Sequence, residues 1–509
     1  MNLAGTAKKP NPVINFFNND RNFRFVFIGS LLFASLNIIR FYFYVICGLS
    51  MIWGAWLFVS KMIYSRRVLR LRNRRLIYLF LCSCFLSCFL HFQTNLAVNV
   101  YYVCWMGVCF FLFYGIHTGR SKNSCKKEVL TLFEFINFIT TVMMIAGLVL
   151  LVLFPKGFDI DGDSFAIHEN RFVGILFNAN VTAFYAIMAF ICCNIMWAIR
   201  HSSRQLTLKF KIYFIVCMLI NIISVFLSDS NDSLLMFIVY FCFIAFYIIF
   251  KGYKRSIIGF IFRLMALMLA CVVIAAALLS ARTLLQTGVS QLLSMSEPDV
   301  QISTGVTASP DGEVVIRPDN EQKTTFAHQN KNIDSGRFVI WKQSLGLFTE
   351  FPIMGIGKAN IVDYGEKYLG GLKYTDFHNG LMTIIISYGL VGFFLFMVLA
   401  ITVAKAMLKA LFRYCKEVKT DGRVLMLIIA FCAAYCVYSM FEVALLVDIS
   451  YRVVIFWLVI GLGMSYVSSY EHSALLAHDN ISDRSRSIYS TARRSAKANS
   501  CNHSFRSLL

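Results

Sequence analysis

Four ionisable residues stand where apolar sequence meets polar sequence: Arg171, Arg337, His378 and Glu442. Gly174, Asn178 and Asn180 follow Arg171, Asn379 follows His378, and Asp448 lies shortly beyond Glu442. A guanidinium group is planar, permanently charged and able to give two parallel hydrogen bonds to an oxyanion, which suits a phosphate leaving group. An imidazole titrates near ~6.5, so it can accept a proton or hydrogen-bond a phosphate. Asn180 and Asn379 offer amides that can position sugar or phosphate oxygens. Each residue also has a plain structural role open to it. Arg171 can be a snorkelling anchor, Glu442 a partner for another helix, His378 a helix cap and Arg337 an exposed loop arginine.

The elements that must hold these groups are membrane helices. Of 509 residues 58% are hydrophobic and only 15% charged, against roughly 25% charged in a soluble domain. Apolar blocks run over 25–39, 41–63, 76–92, 98–116, 129–154, 172–199, 210–228, 232–250, 256–280, 380–404, 424–446 and 451–470, twelve in all. Most have the length of about 20 residues that a helix needs to cross ~30 Å of hydrocarbon. In lipid a helix satisfies its own backbone, and the short alternating segments of a β-barrel are missing from this sequence. The fold class expected is an all-α polytopic membrane protein of about twelve transmembrane helices, with one large extracytoplasmic loop between spans 9 and 10. The block 25–39 is short and ends at Arg40.

The net charge of +21 follows the loops rather than a basic domain. Segment 64–75 carries Arg66, Arg67, Arg70, Arg72, Arg74 and Arg75; 117–128 carries Arg120, Lys122, Lys126 and Lys127; 405–423 is equally basic. The alternate connections 229–231 and 447–450 hold no Lys or Arg. By the positive-inside rule the basic loops and both termini are cytoplasmic, and 281–379 faces outward. That outer segment has nine Lys/Arg and eleven Asp/Glu, so no nucleic-acid partner is expected. The domain organisation expected is a cytoplasmic N-terminus (1–24), spans 1–9 (25–280), the outer loop (281–379), spans 10–12 (380–470) and a disordered cytoplasmic tail (471–509).

None of the sixteen cysteines falls in 281–379, and most lie inside apolar blocks, where Cys acts as a small hydrophobe. Cys84, Cys88 and His91 share a helix face but have no further ligand nearby, and helix packing explains them better than a metal. The N-terminal 20 residues lack the pattern of a removable signal peptide. Within the outer loop, 286–332 is rich in Ser, Thr, Gln and Asp with Pro298, Pro310 and Pro318, and reads as an irregular insertion. Asp334-Ser335 can cap a helix carrying Arg337, Ile340, Trp341 and Leu345, which ends near Glu350-Phe351-Pro352 before a tight turn at Gly355-Ile356-Gly357.

Taken in order, these pieces resemble the O-antigen ligase and O-antigen polymerase superfamily of membrane glycosyltransferases. The resemblance rests on His378-Asn379, nine residues, Gly389, two residues, Gly392. Ahead of these stand Gly336-Arg337-x3-Trp341 and Pro352-Ile353-Met354-Gly355-Ile356-Gly357. Upstream, Arg171-x2-Gly174-x3-Asn178-Ala179-Asn180 is similar to the family's Arg–Gly–Asn-Pro-Asn stretch, with Ala179 in place of Pro. The likeness covers about 170–470. It departs at Ser228-Asp229-Ser230-Asn231-Asp232-Ser233, where Asn231 stands in place of an expected arginine; Arg171 or Lys358 can supply the missing charge.

The resemblance implies transfer of a glycan from an undecaprenyl-pyrophosphate carrier to a glycan, lipid or protein acceptor at the outer face of a bacterial cytoplasmic membrane. It implies His378 and Arg337 as catalytic residues, an inverting displacement, and Arg171, Asn178, Asn180, Asn379, Lys358 and Glu442 as substrate-binding groups. The arginines would neutralise charge growing on the pyrophosphate. With arginines to do the charge neutralisation, neither a metal nor a cofactor is expected. Ligase and polymerase share the donor and differ in the acceptor, which these residues do not distinguish. Two other classes fit a polytopic chain: a transporter, with Arg171 and Glu442 as pathway charges, and a non-catalytic partner in polysaccharide export.

Overall fold

The computed structural model describes residues 11–64, 71–160, 163–253, 256–296, 337–372, 377–414 and 422–475. The caps expected at Asp334-Ser335, Pro298, Pro310 and Pro318, and the tail beyond 475 lie outside these residues.

Every apolar block of the sequence forms a helix. After a short α1 (Pro12–Phe17) come α2 (Asp20–Phe33), α3 (Arg40–Tyr64), α4 (Arg74–Leu90), α5 (Leu96–Val108, continued by π and 3-10 turns to His117) and α6 (Lys122–Leu153). They are followed by α7 (Ala179–Ser202), α8 (Leu208–Leu227), α9 (Asn231–Phe250) and α10 (Ile257–Ser296). Then α11 (Arg337–Glu350) and α12 (Ile361–Leu369) precede α13 (Gly380–Lys409), α14 (Arg423–Tyr438) and α15 (Tyr451–Leu475). Among the described residues nine helices are long and apolar enough to cross a membrane; α14 is apolar but shorter, and α2 and α4 have 14 and 17 residues. The chain is a multi-pass, mainly helical membrane protein. α7 and α15 are buried along almost their whole length and form its centre, whereas the most apolar stretch of α10 turns no buried residue inward.

Four boundaries differ from the sequence expectation. α2 stops at Phe33 rather than 39, because the next residues join a sheet edge: Leu36 bridges Leu176, and Asn37 donates from Nδ2 to the Ser164 carbonyl. That sheet, β1 (Phe158–Ile160), β2 (Asp163–His168) and β3 (Arg171–Gly174), is antiparallel in the order β1-β2-β3 and has no counterpart in the apolar pattern. Three short strands on a loop leave too little periodicity to read. Arg171 therefore lies in β3, not at the start of a span, and α7 begins at Ala179 behind the cap residue Asn178. α10 continues as helix to Ser296, beyond the expected end at 280, since Ser, Thr and Gln are tolerated on a helix leaving the apolar layer. Finally, α14 ends at Tyr438, so Glu442 sits in irregular backbone rather than within a span.

One crossing explains the paired glycine motifs. α13 breaks at Gly389, whose φ of 63° is left-handed, and Pro352–Gly357 passes through the break. Leu390 and Val391 donate backbone N–H groups to the carbonyls of Pro352 and Ile353, and Ile356 and Gly357 donate to those of Ile386 and Ser387. The polar groups freed by the break are thus satisfied, as apolar surroundings require. A Cβ at Gly389 would lie 2.2 Å from the Ile353 carbonyl oxygen, and one at Gly355 would lie 2.5 Å from Gly389 N.

Candidate active site

The short turn between α8 and α9, Ser228–Asp232, is a hub for guanidinium groups from three separate elements. α8 ends at Leu227 because Asp229 takes a left-handed φ of 51°, and Ser230 then caps α9 by accepting from Ser233 N. Arg171 reaches the turn from β3, donating from Nε to the Ser228 carbonyl at 3.0 Å. Its position is set by the two-residue turn Glu169-Asn170, both with positive φ, which closes the β2–β3 hairpin just before it. Arg282 reaches it from the extension of α10, with Nη1 2.9 Å from Asn231 Oδ1 and 3.2 Å from Asp229 Oδ1. Arg337, the first residue of α11, grips Asp232 with two parallel hydrogen bonds of 2.7 and 2.5 Å.

A second acidic centre, Glu442, joins this turn to α15. Asn180 bridges the two, accepting from Arg171 Nη2 at 2.5 Å and donating to Glu442 Oε1 at 3.3 Å. Arg337 Nη2 lies 3.9 Å from the same oxygen, and its guanidinium stands 5.5 Å from the Phe441 ring centre. Arg452 donates to Glu442 Oε2 at 3.1 Å, to the Tyr438 hydroxyl at 3.2 Å and to Asp448 at 2.9 Å. Four guanidinium groups (171, 282, 337, 452) thus meet four carboxylates (229, 232, 442, 448), a locally neutral array. Burial pulls Arg171 below the usual guanidinium value against the opposing charges of Asp229, Asp232, Glu169 and Glu442. Burial also acts to lower Arg337, but the hydrogen bonds and charge of Asp232, with Glu442, outweigh it and hold that group above its usual value.

His378 is fixed beside this array through its neighbours. Phe377 O accepts from Trp341 Nε1 at 3.1 Å, and Trp341 lies one helical turn along α11 from Arg337. Gly380 N donates to Ser439 O at 2.7 Å, which draws the start of α13 to the segment carrying Glu442. Asn379 caps α13, its Oδ1 accepting from Leu381 N and Met382 N at 3.0 Å. His378 itself is half-buried, has a left-handed φ of 45°, and its side chain makes no hydrogen bond among the described residues. A non-glycine residue held there, with a free imidazole, is of the kind found at functional sites.

The structure brings together Arg171, Asn180, Arg337 and Glu442 of the residues read from the sequence. Asn178 is spent on capping α7, accepting from Asn180 N at 2.7 Å. Lys358 lies elsewhere, on a turn packed against α5, where Ala359 N donates to Asn99 Oδ1, and it takes no part in the array's bonds. Arg282, Arg452 and Asp232 join the site without having been singled out. Their signals were an arginine just past an apolar block, an Asp448-x3-Arg452 pair at helical spacing, and a carboxylate next to the anomalous Asn231.

Residues 214–397 match the O-antigen ligase family model. That segment runs from α8 into α13 and takes in the Ser228–Asp232 turn, Arg282, Arg337, His378, Asn379, Gly389 and Gly392. The match supports the O-antigen ligase and polymerase superfamily and indicates an O-antigen ligase-like function in polysaccharide biosynthesis. Arg171, Asn180, Glu442 and Arg452 fall outside the matched O-antigen ligase segment yet bond directly to residues inside it or to each other. No curated protein matches the chain significantly.

Proposed function

We propose that this O-antigen ligase-like protein transfers a glycan from an undecaprenyl-pyrophosphate carrier to a hydroxyl acceptor at the outer face of the cytoplasmic membrane. The observation that carries the proposal is the convergence of Arg171 and Arg337 on one turn, near a histidine whose side chain makes no hydrogen bond among the described residues. The acceptor oxygen attacks the anomeric carbon, and the bond from that carbon to the pyrophosphate oxygen breaks. The acceptor proton leaves to His378 or to solvent, and the carrier departs as its pyrophosphate anion. The displacement inverts the anomeric centre and uses no metal, because arginines neutralise the charge that grows on the leaving oxygens.

In the free protein Asp232 and Glu442 hold the arginines in place and keep the array neutral. The donor phosphates take over part of those hydrogen bonds, so pre-organised guanidinium groups meet the anion without a search through rotamers. On this reading Asn180 orients donor or acceptor oxygens, Asn379 acts by capping α13 beside His378, and Glu442 holds Arg452 and Asn180 in register.

The test is glycan transfer by purified protein given lipid-linked glycan and an acceptor. His378→Ala and Arg337→Ala are expected to cut product formation by about 10²-fold or more at normal abundance. If both variants make product at the parental rate, the assignment fails. His378→Gln separates two roles of the imidazole: an amide can hold a phosphate but cannot take a proton. The product names the reaction, a longer lipid-linked glycan for a polymerase or a glycan on a new anchor for a ligase.

A further inference from the structure

Arg282 belongs to none of the motifs by which the sequence was read, yet it occupies the place where the hub turn carries an amide. From that placement we infer that Arg282 is a phosphate-binding residue of the site, receiving the diphosphate of the lipid-linked donor alongside Arg337. The inference rests on the donor assignment proposed above.

Four observations carry it. Arg282 lies past the apolar part of α10, on the helical extension that reaches the α8–α9 turn. Its Nη1 contacts Asn231 Oδ1 at 2.9 Å and Asp229 Oδ1 at 3.2 Å, while Arg337 grips the next residue, Asp232. The two guanidinium groups therefore rest on adjacent residues of one turn, which suits the two phosphates of a diphosphate. Third, the Arg282 side chain is only 12% exposed, and its Nε–H is buried without a hydrogen-bond partner among the described residues. A buried unpaired donor on a charged group is unfavourable unless something accepts from it. The Nε edge of a guanidinium is one of the faces that meets phosphate through parallel N–H groups.

Fourth, anchoring of α10 does not require this arginine. Gln286, one turn further along the helix, already donates to Phe226 O at 2.8 Å and to Asp229 Oδ1 at 3.2 Å. Leu285 and Val289 pack on the apolar cluster of Leu227 and Leu293. The same contact geometry explains how the chain tolerates Asn231: a guanidinium from a different helix fills the space beside it.

The experiment measures binding of geranylgeranyl diphosphate to the full chain in lipid nanodiscs, with geranylgeranyl monophosphate as comparison. Arg282→Ala is expected to weaken diphosphate binding by about 10-fold or more, the effect of losing a charge-assisted pair, and to affect the monophosphate less. Asn231→Arg added to Arg282→Ala returns a guanidinium to the same volume and is expected to recover most of the affinity. Asp229→Asn frees Arg282 from its carboxylate and is expected to tighten diphosphate binding. If Arg282 merely pins α10, Arg282→Ala and Asp229→Asn lower the melting temperature, leave diphosphate affinity unchanged, and Asn231→Arg rescues nothing; that pattern overturns the inference. Arg337→Ala tells the two levels apart. Loss of binding in Arg337→Ala with none in Arg282→Ala removes only the role of Arg282, whereas unchanged binding in both removes the donor assignment as well.

Discussion

Among the described residues two arginine–carboxylate networks stand out, and their difference separates a staple from a candidate site. At the N-terminal end of α6, Arg24 pairs with Glu128 at 2.5 Å, and both side chains are 3% exposed or less. Arg24 also donates to Leu112 O at 2.7 Å, and Arg120 closes the far side of the carboxylate at 2.6 Å. Roughly 38 Å along α6, at 1.5 Å per residue, the sheet carrying Arg171 begins the other network. There the partners are 9–16% exposed around Glu442, Arg337 and Arg452, and they come from β3, α10, α11, α15 and the irregular segment after α14. The first network is sealed between spans. The second is less deeply buried, draws on β3, α11 and the irregular segment after α14 as well as on spans, and lies near a His378 side chain that makes no hydrogen bond among the described residues.

Four experiments break or sharpen this contrast, beginning with the largest effect. Glu128→Ala strands two arginines in the interior and is expected to cost about 3–5 kcal/mol of stability, read as a large fall in melting temperature. An equal fall for Asp232→Asn would erase the distinction, since a carboxamide keeps part of the pairing and the loss expected there is only about 1.5–3 kcal/mol. Arg337→Ala is expected to reduce the transfer rate by about 10²–10³, or roughly 2.7–4 kcal/mol of transition-state stabilisation, with little loss of abundance. A melting-temperature drop that accounts for the whole activity loss would return Arg337 to a structural role. Asn379→Ala removes the α13 cap next to His378, at a cost of about 1 kcal/mol in stability. Activity is expected to fall further than that, because the cap also sets the histidine backbone. The smallest effect belongs to Glu471→Gln: the pair with Arg72 is 31% and 34% exposed, so unfolding should shift by no more than about 1 kcal/mol and transfer not at all.

Much of the architecture was legible because hydrocarbon imposes a simple rule. Apolar runs such as 210–228 and 232–250 became α8 and α9 nearly residue for residue, with Thr207 and Ser230 capping them. Lipid leaves the backbone no partner but itself, so length and composition suffice there. The same rule fails at the edges. The sheet over 158–174 carries no long period, and α14 ends eight residues before its apolar run does. Apolar residues such as Val443, Leu445 and Leu446 are buried without being helical, since tertiary contacts rather than lipid satisfy that segment. One such contact is the bond from Trp457 Nε1 to Leu445 O at 3.1 Å.

Residue pattern was enough to show that the chain crosses a membrane many times, to single out Arg171, Arg337, His378 and Glu442 as candidates, and to mark a conformational need at the glycine motifs. Which charges meet depends on the tertiary structure alone. Arg282 and Asn231 are 51 positions apart, and Arg337 and Asp232 are 105 apart, yet each pair is in hydrogen-bond contact. The reason is physical: local pattern reports how a segment satisfies its own backbone and its solvent. The pairing of two side chains depends instead on how helices of unequal length end at one level, and no local pattern records that. At Asn231 the departure comes from the family resemblance, and the contact with Arg282 only from the fold.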